Sequence, residues 1–253
     1  MADTSFGIVY AYVRQQLEMG MPDEVLLSAG AAASETAAAA PVLVTPAAAG
    51  AAGAGDGIAL PANRSYEEKR TSLIALYRAT EHCRTCPLGG LRTKFVFGSG
   101  NAAARLMIIG EAPGEEEDRE GKPFVGAAGQ LLTKMLTYIN LDRTTDVFIT
   151  NIVKCRPPGN RQPENSEAAA CLPILKRQIE IIAPKILLLL GRVAAKELLG
   201  RTESIAKLRG EKLFYTTIPA VVTYHPAALL RNESYKAPAA EDFRTLQKML
   251  NAL

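Results

Sequence analysis

The chain has 253 residues, 48% of them hydrophobic and 22% charged, which is enough apolar material for a buried core and excludes a globally disordered chain. The formal net charge of +3 is uneven, with −5 on residues 1–62 and +8 on the remaining 191. A basic body favours a polyanionic partner, nucleic acid being the commonest, and a merely soluble basic domain fits the charge equally well.

In chain order, residues 6–28 read as helical, with Val9, Tyr12, Val13 and Leu17 at helical spacing, which makes 1–28 an N-terminal helical segment. Residues 29–57 contain 14 Ala, 5 Gly and 2 Pro and have little to bury, so 29–62 reads as a linker and 63–253 as the folded domain. The start MADTSFG has no basic or apolar leader, and the longest aliphatic runs, Ile186–Leu190 and Ala37–Val44, fall far short of the roughly 20 residues of a membrane span. A cytoplasmic protein with no membrane contact is therefore expected.

Within the folded domain, Arg105–Gly110, Asp146–Val153, Lys185–Gly191 and Ala220–Tyr224 are apolar runs that predict buried strands. Gln130–Ile139, Asn165–Ile182, Val193–Leu199 and Glu241–Leu253 predict the helices between and after them. Continuous apolar strands alternating with helices predict a parallel sheet covered on both faces. Ligands in such sheets bind beyond the carboxyl ends of the strands, so Glu111, Asn151, Gly191 and His225 are the positions to inspect.

The four cysteines, Cys83, Cys86, Cys155 and Cys171, form a C-x2-C pair followed after 68 residues by a third and after 15 more by a fourth. Four thiolates suit either tetrahedral zinc or a [4Fe–4S] cluster, and spacing alone leaves both open. Such a centre would tie the start of the domain to the loop Arg156–Pro163. His82, beside the first cysteine, reads as a surface residue.

The loop after the first strand, GEAPGEEEDREGKPFVGAAGQLL, has neither the Gly-Lys-Ser/Thr of a P-loop nor the spacing of a dinucleotide fingerprint. Gly126 and Gly129 open a helix, where their amides either hold a phosphate or serve ordinary helix entry. Phe124 is either a core residue or a stacking platform. Leu229 and Leu230, beside Arg231, are either core or an exposed apolar wedge.

The motifs GEAPG…PFVGAAGQLL, TNIVKCRPPGNRQP and HPAALLRN, in that order and with the four cysteines, resemble the family 4 uracil-DNA glycosylases over about residues 70–250. The resemblance implies a three-layer α/β/α sandwich around a four-stranded parallel sheet. It implies a [4Fe–4S] cluster on Cys83, Cys86, Cys155 and Cys171, which decides against zinc. It makes 63–253 the catalytic domain, acting on uracil-containing DNA, single- or double-stranded, and a monomer is expected. The reaction it implies is excision of a flipped uracil by hydrolysis of its N-glycosidic bond.

In that reading Phe124 stacks on the base beside Gly110, and Asn151 donates to uracil O4 and accepts from N3–H. His225 donates to O2 of the leaving base, with Glu111 and Glu117 as the candidate carboxylates. Leu229 is the first choice of wedge and Leu230 the second. Arg231, Lys154, Arg156, Arg161 and the amides of Gly126 and Gly129 are candidate DNA contacts. Two departures stand out: related families carry an Asp where this chain has Glu111, and Gly114 stands where some relatives place a Tyr against the thymine methyl. Two other classes compete. A non-enzymatic iron–sulfur redox protein leaves Asn151 and His225 unexplained, and a nucleotide hydrolase lacks its phosphate-gripping lysine.

Overall fold

The computed structural model describes residues 64–253, so the helix expected at 6–28 and the linker at 29–62 lie outside the described residues. A Ser65–Glu68 capping box starts helix α1 (Tyr66–Thr80), and a short helix α2 (Leu88–Leu91) follows the C-x2-C turn. Next come β1 (Ser99–Gly100), β2 (Leu106–Gly110), α3 (Glu115–Glu120), α4 (Ala127–Tyr138) and β3 (Val147–Asn151). The second half runs α5 (Asn165–Ile182), β4 (Ile186–Leu190), α6 (Arg192–Leu199), α7 (Ile205–Leu208), β5 (Leu213–Tyr215), β6 (Ile218–Thr223), α8 (Pro226–Arg231) and α9 (Lys236–Asn251).

All four predicted strands form, and they lie parallel to one another as β3-β2-β4-β6. The sheet has six strands rather than four, because β1 and β5 add antiparallel edges. Neither edge carries an apolar run longer than three residues. β1 is a Ser-Gly pair, and β5 is a three-residue strand joined to β6 by a turn in which Thr216 takes a left-handed φ of 52°.

Every residue of β2, β3 and β4 is buried, so successive side chains feed two different cores. Met107, Ile109, Phe148, Leu187 and Leu189 pack on one face against α1, α5 and α6. Leu106, Ile108, Val147, Ile149, Ile186 and Leu188 pack on the other against Leu132 and Leu136 of α4 and Phe243 and Leu246 of α9. This is the expected three-layer sandwich. At one sheet end α1 is moored to α5 by Arg64 on the carbonyl of Ile181 and Lys69 on that of Ile182, cations placed at a helix C-terminus.

Leu188, wholly buried in a central strand, tests the two-sided core. Leu188→Ala should lower the unfolding free energy by about 2–5 kcal/mol, measured by urea denaturation of the wild type and the variant.

Candidate active site

Because the four strands are parallel, their carboxyl ends share one side, and the segments that follow β2, β3 and β6 wall a cleft of about 410 Å3. Glu111, Gly114, Glu117, Phe124, Asn151, Arg161, His225 and Arg231 line it. The sheet thus brings together the expected base-reading and carboxylate residues, with Gly191, at the end of β4, against His225.

Asn151 ends β3 opposite Gly110 of β2 in the parallel register. Its side chain is 1% exposed, and among the described residues its Oδ1 has no hydrogen-bond partner. A buried acceptor left unpaired costs about 1–3 kcal/mol, which marks Oδ1 as waiting for a donor from outside the chain. Gly110 is required at this point. A Cβ there would collide with Asn151 Oδ1 and come within 2.6 Å of Phe124 Cζ.

Phe124 is 4% exposed, and its ring lies 5.5 Å from that of His225, tilted by 35°. Its backbone is strained, with a left-handed φ of 54° in a residue other than glycine. Two charged groups impose that shape. The Arg143 guanidinium donates to the carbonyls of Phe124 (2.8 Å) and Pro123 (3.0 Å). Glu117 Oε1 accepts from the amides of Val125 (2.8 Å) and Gly126 (2.9 Å), and its Oε2 from the amide of Gly114 (3.0 Å). Both oxygens of Glu117 are therefore engaged in holding the Gly114 and Phe124 loops, an arrangement that suits positioning better than proton transfer.

His225 caps α8, and its Nδ1 accepts from the Ala227 amide at 3.2 Å. In a neutral imidazole this leaves the proton on Nε2, which is then a donor. Burial, helped by the nearby Arg231 charge and opposed by Glu117, pushes its pKa down to about 4, so the ring is neutral near pH 7. Glu111 lies half-buried in the cleft. Its pKa is raised by burial against the opposing charge of Arg192, and its carboxylate has no hydrogen-bond partner among the described residues.

Several expected DNA contacts are corrected. Lys154 is completely buried, with its ammonium bonded to Thr150, Asn151 and Gln178, and no phosphate reaches it. Gly126 and Gly129 are buried. The Gly126 amide is spent on Glu117, and Gly129 is required because a Cβ would strike the Phe124 carbonyl. The order of the leucines reverses: Leu229 is 2% exposed and belongs to the interior, whereas Leu230 is 52% exposed. Arg231 is exposed at the cleft rim. Arg156 pairs with Glu115 at 3.1 Å, and Arg161 holds the buried Glu167 through two bonds. The sequence reading missed Arg143, which sits in a polar turn 19 residues after Phe124 with no local signal of its task. It also missed Gln178, an amide on the buried face of α5.

The four cysteines carry no disulfide. Cys155 and Cys171 are buried, with Cys83 and Cys86 packed against the same core. Burial pushes the Cys155 thiol up to about 11, with Arg92, whose Nη1 lies 3.1 Å from the sulfur, pulling the other way. Cys171 is raised by burial too, opposed by the Lys154 charge and the Lys154 backbone N–H at its sulfur, and it feels the charges of Cys86 and Cys83. Among the described residues no three ligand side chains close around one point as they stand. The chemistry of the donor set nevertheless fits an anionic, thiolate-held centre: four unpaired cysteines on one side of the core, faced by two cations.

A family model described as the uracil DNA glycosylase superfamily matches residues 97–250. A type-4 uracil-DNA glycosylase of Saccharolobus solfataricus is 48% identical over 180 residues, covering 67% of this chain and 82% of that relative. The protein of the same name from Sulfurisphaera tokodaii is 46% identical over 175 residues, covering 66% and 80%. That from Thermotoga maritima is 47% identical over 154 residues, covering 60% and 80%.

Glu117 separates a mooring role from an acid–base role. Glu117→Gln replaces one acceptor oxygen with a donor facing backbone amides and should cost about 1–3 kcal/mol of stability, read by denaturant unfolding. An acid–base role would leave stability near the wild-type value.

Proposed function

The chain belongs to the type-4 uracil-DNA glycosylases of the uracil DNA glycosylase superfamily, and from that premise we infer that its cleft holds a uracil turned out of DNA between Phe124, Asn151 and His225. The enzyme hydrolyses the N-glycosidic bond of uracil in DNA, releasing the free base and leaving an abasic site for base excision repair. The observation that carries the assignment of residues is the buried, unpartnered Oδ1 of Asn151. Uracil N3–H supplies the missing donor, and the amide NH2 of the same side chain donates to O4. Cytosine presents an acceptor at N3 and a donor at C4, so both bonds fail and two buried groups stay unpaired.

Phe124 stacks on the ring, fixed from behind by Arg143 and Glu117. As the glycosidic bond breaks, electrons move onto the base, and the Nε2–H of His225 donates to O2 where that charge develops. A neutral donor keeps its proton as the base leaves, which agrees with the depressed pKa of the imidazole. The deoxyribose becomes electron-poor at the same time. Glu111 faces the cleft with no hydrogen-bond partner among the described residues. Its charge stabilises the sugar and its oxygen accepts a proton from the attacking water. Leu230 takes the place of the departed base in the duplex, with Arg231 beside it on the phosphate backbone.

Cys83, Cys86, Cys155 and Cys171 would hold a [4Fe–4S] cluster, supported by the type-4 relatives and by the cations set against the sulfurs. Its contribution would be structural: it would join the C-x2-C turn to the loop after β3. Residues 63–253 form the catalytic domain, which agrees with the family match at 97–250. In this reading the enzyme acts as a monomer. Among the described residues no helix is long and apolar enough to cross a membrane, and we place the enzyme in the cytoplasm with its DNA.

Two experiments test the reading. Asn151→Asp should lower uracil release by about tenfold or more, because an O4 donor is lost, and should gain slow cytosine release. Full uracil activity with unchanged cytosine rejection would remove Asn151 from the pocket. His225→Ala should slow single-turnover cleavage by about 10²–10³ with DNA affinity nearly unchanged. Since the wild-type imidazole is neutral above its pKa of about 4, the wild-type rate should show no inflection at the ordinary histidine pKa of about 6.5. An inflection there that vanishes in His225→Ala would show that the ring titrates during turnover.

A further inference from the structure

Lys154 is the largest wholly buried side chain among the described residues, and nothing in the reaction above uses it. Its Nζ donates to Thr150 Oγ1 at 2.6 Å, to the main-chain oxygen of Asn151 at 2.7 Å and to Gln178 Oε1 at 2.8 Å. Three acceptors match the three N–H bonds of an ammonium. The network closes on itself, because Thr150 Oγ1 and Gln178 Nε2 both donate to the carbonyl of Phe97, at 2.8 and 2.9 Å. No carboxylate among the described residues joins it. The groups able to bear negative charge beside it are the sulfurs of Cys171 and Cys155.

The geometry at Asn151 gives this cation a task. The peptide unit between Asn151 and Ile152 is gripped at both ends: its oxygen accepts from Lys154, and its N–H donates to the carbonyl of Gly110 at 2.9 Å. With the peptide plane held, the direction in which the Asn151 side chain leaves the backbone is fixed. Beyond it the pairing with the segment after β2 continues through the Val153 N–H on the Glu111 carbonyl, a longer bond of 3.2 Å, so the Lys154 ammonium is what holds the oxygen side of the Asn151–Ile152 peptide.

We propose that Lys154 is a positioning residue for base recognition, whose ammonium locks the Asn151–Ile152 peptide so that the Asn151 amide is preset for uracil. The proposal rests on the reading of Asn151 as the group that pairs with the base edge. It assigns to a lysine in the middle of TNIVKC a role in selecting the base rather than in holding phosphate. It also makes one residue serve two places, since the Lys154 backbone N–H bonds the Cys171 sulfur while its side chain holds the base reader.

The test measures equilibrium binding of free uracil to the iron-loaded enzyme by calorimetry, beside iron content, affinity for abasic-site DNA and the kcat and KM of uracil release. Lys154→Met keeps length and apolar bulk and removes charge and donors. It should weaken uracil binding at least tenfold and raise KM by a similar factor, with iron content and abasic-site affinity near wild type. Thr150→Val keeps shape and removes one acceptor of the ammonium, so it should weaken uracil binding in the same sense by a smaller factor. Asn151→Ala is the reference. If it binds uracil as the wild type does, the reading of Asn151 fails and this proposal falls with it. If Asn151→Ala loses uracil but Lys154→Met, with full iron content, binds it normally, the positioning role alone is overturned. Should Lys154→Met not fold or not keep its iron, Thr150→Val decides, and wild-type uracil affinity there overturns the role.

Discussion

The parallel register that sets Gly110 beside Asn151 governs the site. One strand must end in a residue without a side chain so that the next can lay an amide across the gap and a phenyl ring can close over it. A methyl group at Gly110 would meet both. From this meeting point outward, the remaining devices keep two loops from drifting. Glu117 ties the loop after β2 to the entrance of α4, and Arg143 holds the carbonyls that Phe124 turns inward. The strain in Phe124 persists because both ends of its loop are over-determined.

The polar groups around the cleft divide in two by what they have left to offer. Glu117, Arg143, Arg161 and Lys154 are bonded to protein partners. The groups with capacity to spare are the Oδ1 of Asn151, the Nε2 of His225 and the carboxylate of Glu111. A pocket of this kind is preorganised, because donors and acceptors stand in place before a ligand arrives and need not be turned out of water during reaction. The depressed imidazole pKa and the raised carboxylate pKa share one physical origin, desolvation by the walls of the same cleft.

Much of this was legible in the chain itself. The four parallel strands announce themselves as continuous apolar runs because both faces of the sheet are covered, and α5 begins and ends where its periodicity says. Asn151, His225 and Phe124, which line the cleft, are readable as candidates because strand ends and short motifs carry them. What was not legible depends on contacts far apart in sequence. The edge strands have too few residues to show a period. Helix α8 is only six residues long, although Pro226 at its first turn is a readable start. Arg143 and Gln178 look like surface polar residues until the fold brings Phe124 and Phe97 to them. Lys154 was misread because a lysine in a basic loop usually faces solvent, and the leucine pair was misordered because a six-residue helix gives too little pattern to say which side faces in.

The brevity of β1 and β5 has a consequence for the enzyme at high concentration. A sheet whose outer strands were long and apolar would offer its unpaired backbone groups to any neighbouring chain, and stacking edge to edge would follow. Here one border is a Ser-Gly pair and the other a three-residue strand with Phe214 turned to solvent. The ladder is cut short on both sides before another molecule can extend it, so the all-apolar strands at its centre lie behind borders that offer a neighbour few backbone groups to pair with.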